Sequence, residues 1–171
     1  MKNVIKELGE LLEKVSNGSL EALAAAVKGH RRVFVYGAGR SGLMLKAFAM
    51  RLAQADFTAY VVGETVTPAI GEGDLLVLAS ASGKTSSVVR YASVAKQYGA
   101  EVFAITSSAD SPLAAYADGK LLVSAPTKDT AQSGSIMGTL FEQSVLLLCD
   151  AAVPLLCGDA TKMRARHANL E

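Results

Sequence analysis

The chain has 171 residues, of which half are apolar and 19% are charged, and its formal net charge is +1. This balance excludes an intrinsically disordered chain and predicts one domain, residues 1–171, with a substantial core. Lysines and arginines are scattered, so we expect no nucleic acid as the main partner. The N-terminus is charged and amphipathic, which is not typical of a signal peptide. Both cysteines, Cys149 and Cys157, are expected to be buried thiols of a cytoplasmic protein.

Residues 1–29 predict two helices. Apolar residues recur at helical spacing up to Val15, and the next four residues interrupt that pattern. Ser19 is predicted to cap the second helix and Gly29 to end it. His30 is interpreted as an exposed surface histidine.

Apolar runs alternate with helical patterns along the rest of the chain. The predicted strands cover residues 33–36, 59–62, 75–79, 101–106 and 120–123. Continuously apolar strands separated by helices indicate a parallel sheet covered on both faces. We therefore expect an α/β protein, a single-domain three-layer α-β-α sandwich with a five-stranded parallel sheet. Ligands of such sheets lie at the C-terminal ends of the strands.

A long apolar helix is predicted over residues 136–156. Glu142, Gln143 and Asp150 interrupt it, which disfavours a membrane span and indicates a buried helix, with Ser133 or Ser135 as its cap. The tail, residues 160–171, is polar and predicts a short helix or arm.

The segment DLLVLASASGKT, residues 74–85, predicts a strand followed by a loop of small hydroxyl residues and a helix. A helix N-terminus offers free N–H groups and a partial positive charge, and hydroxyl groups add donors, so this arrangement suits an anionic group. GAGRSG, residues 37–42, follows the first strand in the same way. Arg40 and Ser41 place a cation and a hydroxyl there, which favours a terminal phosphate.

Three other interpretations are weaker. GAGRSG satisfies the dinucleotide fingerprint G-x-G-x-x-G, and Glu64 stands where a ribose-binding acid is expected. SGKT resembles the end of a nucleotide-binding P-loop, but Leu78 occupies the position of the first glycine. His167, Glu142 and Asp150 lack the spacing of metal ligands, so we expect no metal site.

Glu142 lies in a strongly apolar stretch, where a carboxylate is costly unless it is paired or used. A base that removes a proton from carbon and an ion pair with a basic residue of another element are both open at this point. His167 lies in the polar tail and can act only if the tail folds over a site, either its own or a neighbour's.

Four motifs together resemble a known family. VYGAGRSG, SASGKT, SIMGTLFEQ and the final RHANLE are similar to the sugar isomerase (SIS) phosphosugar-binding domains, and the last two narrow the resemblance to the 6-phospho-3-hexuloisomerases. Lys84 departs from the pattern, because many of these domains carry Glu or another residue there.

The resemblance implies an SIS fold, which is flavodoxin-like or Rossmann-like, and the interconversion of D-arabino-hex-3-ulose 6-phosphate and D-fructose 6-phosphate through an enediol(ate). This step belongs to formaldehyde assimilation by the ribulose monophosphate pathway. The resemblance also implies no cofactor, no metal and a homo-oligomer, often a tetramer. Alternatives are another aldose–ketose phosphosugar isomerase and a non-catalytic phosphosugar sensor.

The resemblance also assigns residues. Glu142 is the predicted base and His167 the predicted proton shuttle. The predicted phosphosugar-binding residues are Arg40, Ser41, Ser80, Ala81, Ser82, Gly83, Lys84 and Thr85.

Overall fold

A computed structural model describes residues 2–126 and 139–170. The helices are α1 Lys2–Leu12, α2 Asn17–Lys28, α3 Arg40–Gln54, α4 Ser86–Gln97, α5 Pro112–Tyr116, α6 Thr139–Leu156 and α7 Ala160–Ala165. The strands are β1 Arg32–Gly37, β2 Ala59–Val61, β3 Asp74–Ala79, β4 Glu101–Thr106 and β5 Gly119–Leu122. The predicted strand bounds agree with these at four of the ten strand ends and differ by one residue at the other six.

The five strands form one parallel sheet in the order β2-β1-β3-β4-β5. β3 is central, and all six of its residues are buried, which explains its unbroken apolar sequence. Helices α1, α2, α3 and α6 contribute to the core on one face of the sheet, whereas α4 and α5 contribute on the other. The predicted three-layer α/β architecture is confirmed.

This strand order places the two predicted ligand loops side by side. From β1 the chain crosses outward to β2 and then returns to β3 on the opposite side of β1. Such a reversal leaves a crevice at the C-terminal ends of the two strands that flank it. The loops after β1 and β3, which carry GAGRSG and SASGKT, border that crevice.

Two local predictions were wrong. Ser16, not Ser19, caps α2, because its hydroxyl accepts a hydrogen bond from the Ser19 N–H at 3.3 Å. The His30 side chain is only 10% exposed rather than a free surface group. Its Nδ1 lies 2.6 Å from the Ala26 carbonyl oxygen and its Nε2 lies 3.4 Å from a Glu101 carboxylate oxygen.

The long apolar helix α6 is described over Thr139–Leu156 and continues past Pro154. Residues 136–138 and the proposed caps Ser133 and Ser135 lie outside the described residues. Over the described ranges, α6 alone is long and apolar enough to cross a membrane by length and composition. Half of that 18-residue stretch is buried inside the protein, as in the core helix of a globular domain.

An ion pair holds the edge of the sheet opposite the ligand loops. Asp74 and Arg32 are directly opposite each other at the starts of β3 and β1, and Arg32 donates to Asp74 at 2.5 and 2.8 Å. Burial would raise the pKa of Asp74, but the hydrogen bonds from Arg32 and the Gly71 N–H outweigh it and hold the pKa below its usual value. The same hydrogen bond to Asp74 raises the pKa of Arg32.

Candidate active site

The loop after β1 brings α3 very close to the strand. Gly39 has φ +58°, a conformation that side chains rarely tolerate, and it precedes the first residue of α3. A Cβ on Gly42 would overlap the Gly37 carbonyl oxygen, so only glycine allows this approach. Arg40 and Ser41 are thereby placed in the first turn of α3, where helical N–H groups lack intrahelical partners.

The hydroxyl loop, residues 80–85, connects β3 to α4. Ser80 is buried, and its Oγ lies 3.0 Å from Thr85 Oγ1 and accepts from the Gly83 N–H at 3.2 Å. Ser82 is partly buried, and its Oγ accepts from the Lys84 N–H at 3.2 Å. The hydroxyl groups of Ser80 and Ser82 therefore shape the loop itself, and the loop leads directly into the N-terminus of α4.

A second polar segment, between β4 and α5, supports the hydroxyl loop. The Ala81 carbonyl accepts from the Ser107 N–H at 3.0 Å and from Thr106 Oγ1 at 3.2 Å. The Gly83 carbonyl accepts from the Leu113 N–H at 3.0 Å. The motifs considered above did not predict this support. Hydroxyl residues directly after β4 were a usable signal, because the C-terminal ends of strands in a parallel sheet share one edge.

Gly83 is held tightly in this arrangement. It is buried, with φ +61°, and a Cβ there would overlap the side chain of Ser111. Ser111 is itself fixed, because it caps α5 by accepting from the Ala114 N–H and donates to the Ser108 carbonyl at 2.9 Å. The adjacent Lys84 is exposed.

Arg40 and Glu142 form an ion pair in which Arg40 Nε donates to Glu142 Oε1. The Glu142 side chain is 8% exposed and the Arg40 side chain is 64% exposed. The sequence left a base and an ion pair open for Glu142, and the structure provides the ion pair. The partner of Glu142 is Arg40, which the sequence predicted to bind the phosphate. The structure therefore brings the predicted base and a predicted phosphate-binding residue into contact.

His167 lies elsewhere on the same chain. It is exposed, and it follows Arg166, whose Nη2 is 2.7 Å from Asp56 Oδ2 just beyond the end of α3. The start of α3, at Arg40, is about 20 Å from that end, given a rise of roughly 1.5 Å per residue. The structure therefore does not bring His167 to the Glu142 of its own chain.

A cavity of about 220 Å³ lies beside the GAGRSG loop, at the ends of β1 and β2. Lys46 Nζ and Glu64 Oε1, on its wall, are 2.7 Å apart. Glu64, the acid that the dinucleotide interpretation used for a ribose, is thus engaged by a lysine of α3.

Within residues 2–126 and 139–170, no group of three or more His, Cys, Asp or Glu side chains could hold a metal ion. Cys149 is buried, and burial raises the pKa of its thiol far above its usual value. Cys157 is partly exposed rather than buried as expected, because it lies just beyond the end of α6, and its Sγ is 3.6 Å from the Asp159 carbonyl oxygen.

Residues 27–149 match the family model described as the SIS domain. The chain belongs to the SIS domain family. Because this match begins at residue 27, the organisation of all 171 residues as one domain stays a prediction.

Two named relatives narrow the similarity. The chain is 42% identical to the 3-hexulose-6-phosphate isomerase of Mycobacterium gastri, over 96% of this chain and 86% of that protein. It is 39% identical to the Bacillus subtilis (strain 168) protein of the same name, over 98% of this chain and 95% of that one. This name denotes the same activity as 6-phospho-3-hexuloisomerase, so the resemblance predicted from the motifs is confirmed.

A solved structure agrees with the fold of this SIS domain. A Methanococcus jannaschii protein, for which a molecular function of 3-hexulose-6-phosphate isomerase has been inferred, is 30% identical. It superimposes with a TM-score of 0.86 over 99% of this chain and 98% of that chain.

Proposed function

We propose that this protein is a 6-phospho-3-hexuloisomerase, which interconverts D-arabino-hex-3-ulose 6-phosphate and D-fructose 6-phosphate in the ribulose monophosphate pathway. The observation that carries the proposal is the buried carboxylate of Glu142, paired with Arg40 beside the hydroxyl loop, in a chain similar along nearly its whole length to proteins named for this activity.

The hydroxyl loop and the N-terminus of α4 hold the 6-phosphate in this proposal. Ser80 and Ser82 shape the loop, while Ser41 and the first turn of α3 contribute donors from the other side of the crevice. Lys84, which is exposed, adds a positive charge. This grip on a remote group supplies binding energy that fixes the reacting carbons against the base.

Glu142 transfers the proton. It removes the hydrogen from C2 of the 3-ketose, the electrons form an enediol(ate) across C2 and C3, and reprotonation at C3 leaves the carbonyl on C2. The ion pair with Arg40 fixes the orientation of the carboxylate. An arginine has five N–H donors, and Glu142 uses one, so the remaining donors of Arg40 can stabilise the enediolate oxygen.

We infer further that His167 moves protons between the substrate oxygens, that the protein is a homo-oligomer, with a tetramer favoured, and that it works in the cytoplasm. The position of His167 near Asp56 supports a site shared between chains, because in one chain the histidine and Glu142 lie at opposite ends of α3.

Deuterium exchange tests the reaction. Fructose 6-phosphate incubated with the protein in deuterated water should gain deuterium at C3, and the 3-ketose should appear in the NMR spectrum. Exchange at C1 would identify an aldose–ketose isomerase instead. Binding without any exchange would identify a phosphosugar sensor.

The variant Glu142→Gln tests the base. Exchange at C3 should fall by a factor on the order of 100 or more, because an acid–base group is lost, while the phosphosugar still raises the melting temperature. Glu64→Gln is the matched control, since it also removes a carboxylate paired with a basic side chain, and it should keep its activity. If Glu142→Gln remained active, Glu142 would not be the base.

A further inference from the structure

A buried hydroxyl group without a hydrogen-bond partner lies beside the hydroxyl loop. Among the residues that the structure describes, two side-chain oxygen atoms are buried without a partner, and they are Ser107 Oγ and Glu7 Oε2. Glu7 belongs to α1, whereas Ser107 directly follows β4. Burying a polar group without a partner costs stability, so such a group in a folded protein calls for a functional explanation or a bound group that satisfies it.

The position of Ser107 connects it to the candidate active site. As the first residue after β4, it lies at the edge of the sheet that carries the ligand loops. Its N–H donates to the Ala81 carbonyl at 3.0 Å, which joins it to the hydroxyl loop. The preceding Thr106 donates to the same carbonyl through Oγ1 at 3.2 Å. The backbone of Ser107 is therefore fixed against the loop, while its hydroxyl group takes no part in this support.

The hydroxyl groups of the loop itself already have partners. Ser80 Oγ and Thr85 Oγ1 lie 3.0 Å apart, and Ser82 Oγ accepts from the Lys84 N–H at 3.2 Å. Ser107 differs from them, because its hydroxyl proton and its lone pairs are all uncommitted. A phosphate group presents three strong acceptor oxygens and needs donors. A hydroxyl group with a free proton, held against the loop, is suited to supply one of them.

Rotation about a single bond brings this hydroxyl group to the surface. Ser107 as a residue is partly exposed, although its Oγ is buried. The Cα–Cβ bond of serine has three staggered positions, so the hydroxyl group can turn toward the exposed side without any movement of the backbone. Because the hydroxyl group has no partner to give up, this turn breaks no hydrogen bond.

We propose that Ser107 is a further substrate-binding residue, whose hydroxyl group donates a hydrogen bond to an oxygen of the 6-phosphate. This assignment rests on the proposed function only where that function places the phosphate at the hydroxyl loop, and it does not depend on the isomerisation. A loop hydroxyl that binds phosphate exchanges one partner for another, whereas Ser107 gains a partner where it had none. Its contribution to affinity is correspondingly large.

The variant Ser107→Ala separates binding from a structural role. Its affinity for fructose 6-phosphate, measured by calorimetry, should fall about 10-fold or more, because a hydrogen bond to a charged group is lost. Its urea midpoint should stay the same or rise, because an unpartnered buried hydroxyl group is removed. Ser111→Ala is the contrasting variant, since that hydroxyl group caps α5 and donates to Ser108, and its urea midpoint should fall. Wild-type affinity for Ser107→Ala, or a fall in its urea midpoint like that of Ser111→Ala, overturns the proposal.

Two further variants show whether the hydroxyl group itself is responsible. Ser107→Thr restores a hydroxyl donor at the same position and should return most of the affinity that Ser107→Ala loses. Ser144→Ala is the matched control for affinity, because it also removes a buried serine hydroxyl group, one that donates to the Leu140 carbonyl at 2.7 Å inside α6. It should bind fructose 6-phosphate as the wild type does. If Ser107→Thr bound no better than Ser107→Ala, the hydroxyl group would not be the binding element and the proposal would be wrong.

Inorganic phosphate shows which end of the substrate Ser107 binds. The affinity for inorganic phosphate should fall in Ser107→Ala by about the same factor as the affinity for fructose 6-phosphate. A loss confined to fructose 6-phosphate would place the hydroxyl group on the sugar and overturn the assignment to the phosphate. A wild-type protein that binds phosphate through Ser107 but never exchanges deuterium at C3 refutes the proposed function and leaves this inference intact. Deuterium exchange in the wild type, together with an affinity that is independent of Ser107, refutes this inference alone.

Discussion

Gly83 is the residue of the hydroxyl loop at which the structure leaves the least room for a side chain. An alanine Cβ at this position would lie 2.0 Å from Ser111 Oγ and 2.4 Å from Ser111 Cβ, and 3.2 Å from Thr106 Oγ1. Non-bonded atoms pack at roughly 3.5 to 4.0 Å, so both contacts with Ser111 are severe overlaps. Ser111 cannot turn away freely, because it caps α5 and donates to Ser108. The loop must therefore shift, and its hydrogen bond from Leu113 is lost.

The expected magnitude for Gly83→Ala follows from two costs and one smaller offset. The left-handed backbone costs a non-glycine residue about 1 to 2 kcal/mol, and overpacking costs about 1 to 3 kcal/mol. Lower entropy of the unfolded chain offsets about 0.4 to 1 kcal/mol of this sum. We expect a loss of roughly 2 to 4 kcal/mol in the free energy of unfolding, or about 1 to 2 M in the urea midpoint.

Urea unfolding followed by circular dichroism measures the effect. Gly9→Ala in α1 is the matched control, since its Cβ meets no atom within 4 Å, and it should be neutral or slightly stabilising. Adding Ser111→Gly to Gly83→Ala removes the overlap but not the backbone strain, so about half of the loss should return. A change below about 0.5 kcal/mol for Gly83→Ala alone, the size typical of surface substitutions, refutes the tight packing of the loop.

Two further predictions concern opposite edges of the sheet. Asp74→Asn leaves Arg32 without its buried partner and should cost about 3 to 5 kcal/mol at pH 7, with exchange at C3 unchanged in the folded protein. Because the folded pKa of Asp74 is lowered, its contribution is complete above the unfolded value of about 4 and is lost as the pH falls through the folded value. Urea unfolding should therefore show a smaller difference from the wild type at pH 3 than at pH 7, and an equal difference would contradict the ion-pair argument. Ser82→Ala should weaken phosphosugar binding on the order of 10- to 100-fold, measured by calorimetry, with little change in stability, because a hydrogen bond to a charged group is lost; unchanged affinity would remove Ser82 from the site.

The amino-acid sequence by itself determined the order of helices and strands, the parallel sheet and the two loops at its C-terminal edge. These features depend on periodicity, on glycine and on local caps, which act between residues close in the chain. The unbroken apolar run of β3 required burial on both faces, and the α/β fold followed from its alternation with helices. The family resemblance rested likewise on short contiguous motifs.

Only the tertiary structure decided which distant residues meet. Arg40 and Glu142 are 102 positions apart, and no pattern in either segment identifies the partner, so the sequence assigned Arg40 to the phosphate alone. The prediction that His30 is exposed was wrong for the same reason, since its partner Glu101 lies on β4, far away in the sequence. The tail shows the limit most clearly, because Arg166 binds Asp56 and so holds His167 far from the Glu142 of its own chain. Pairings of this kind depend on how the layers pack, and one-dimensional spacing contains no record of that packing.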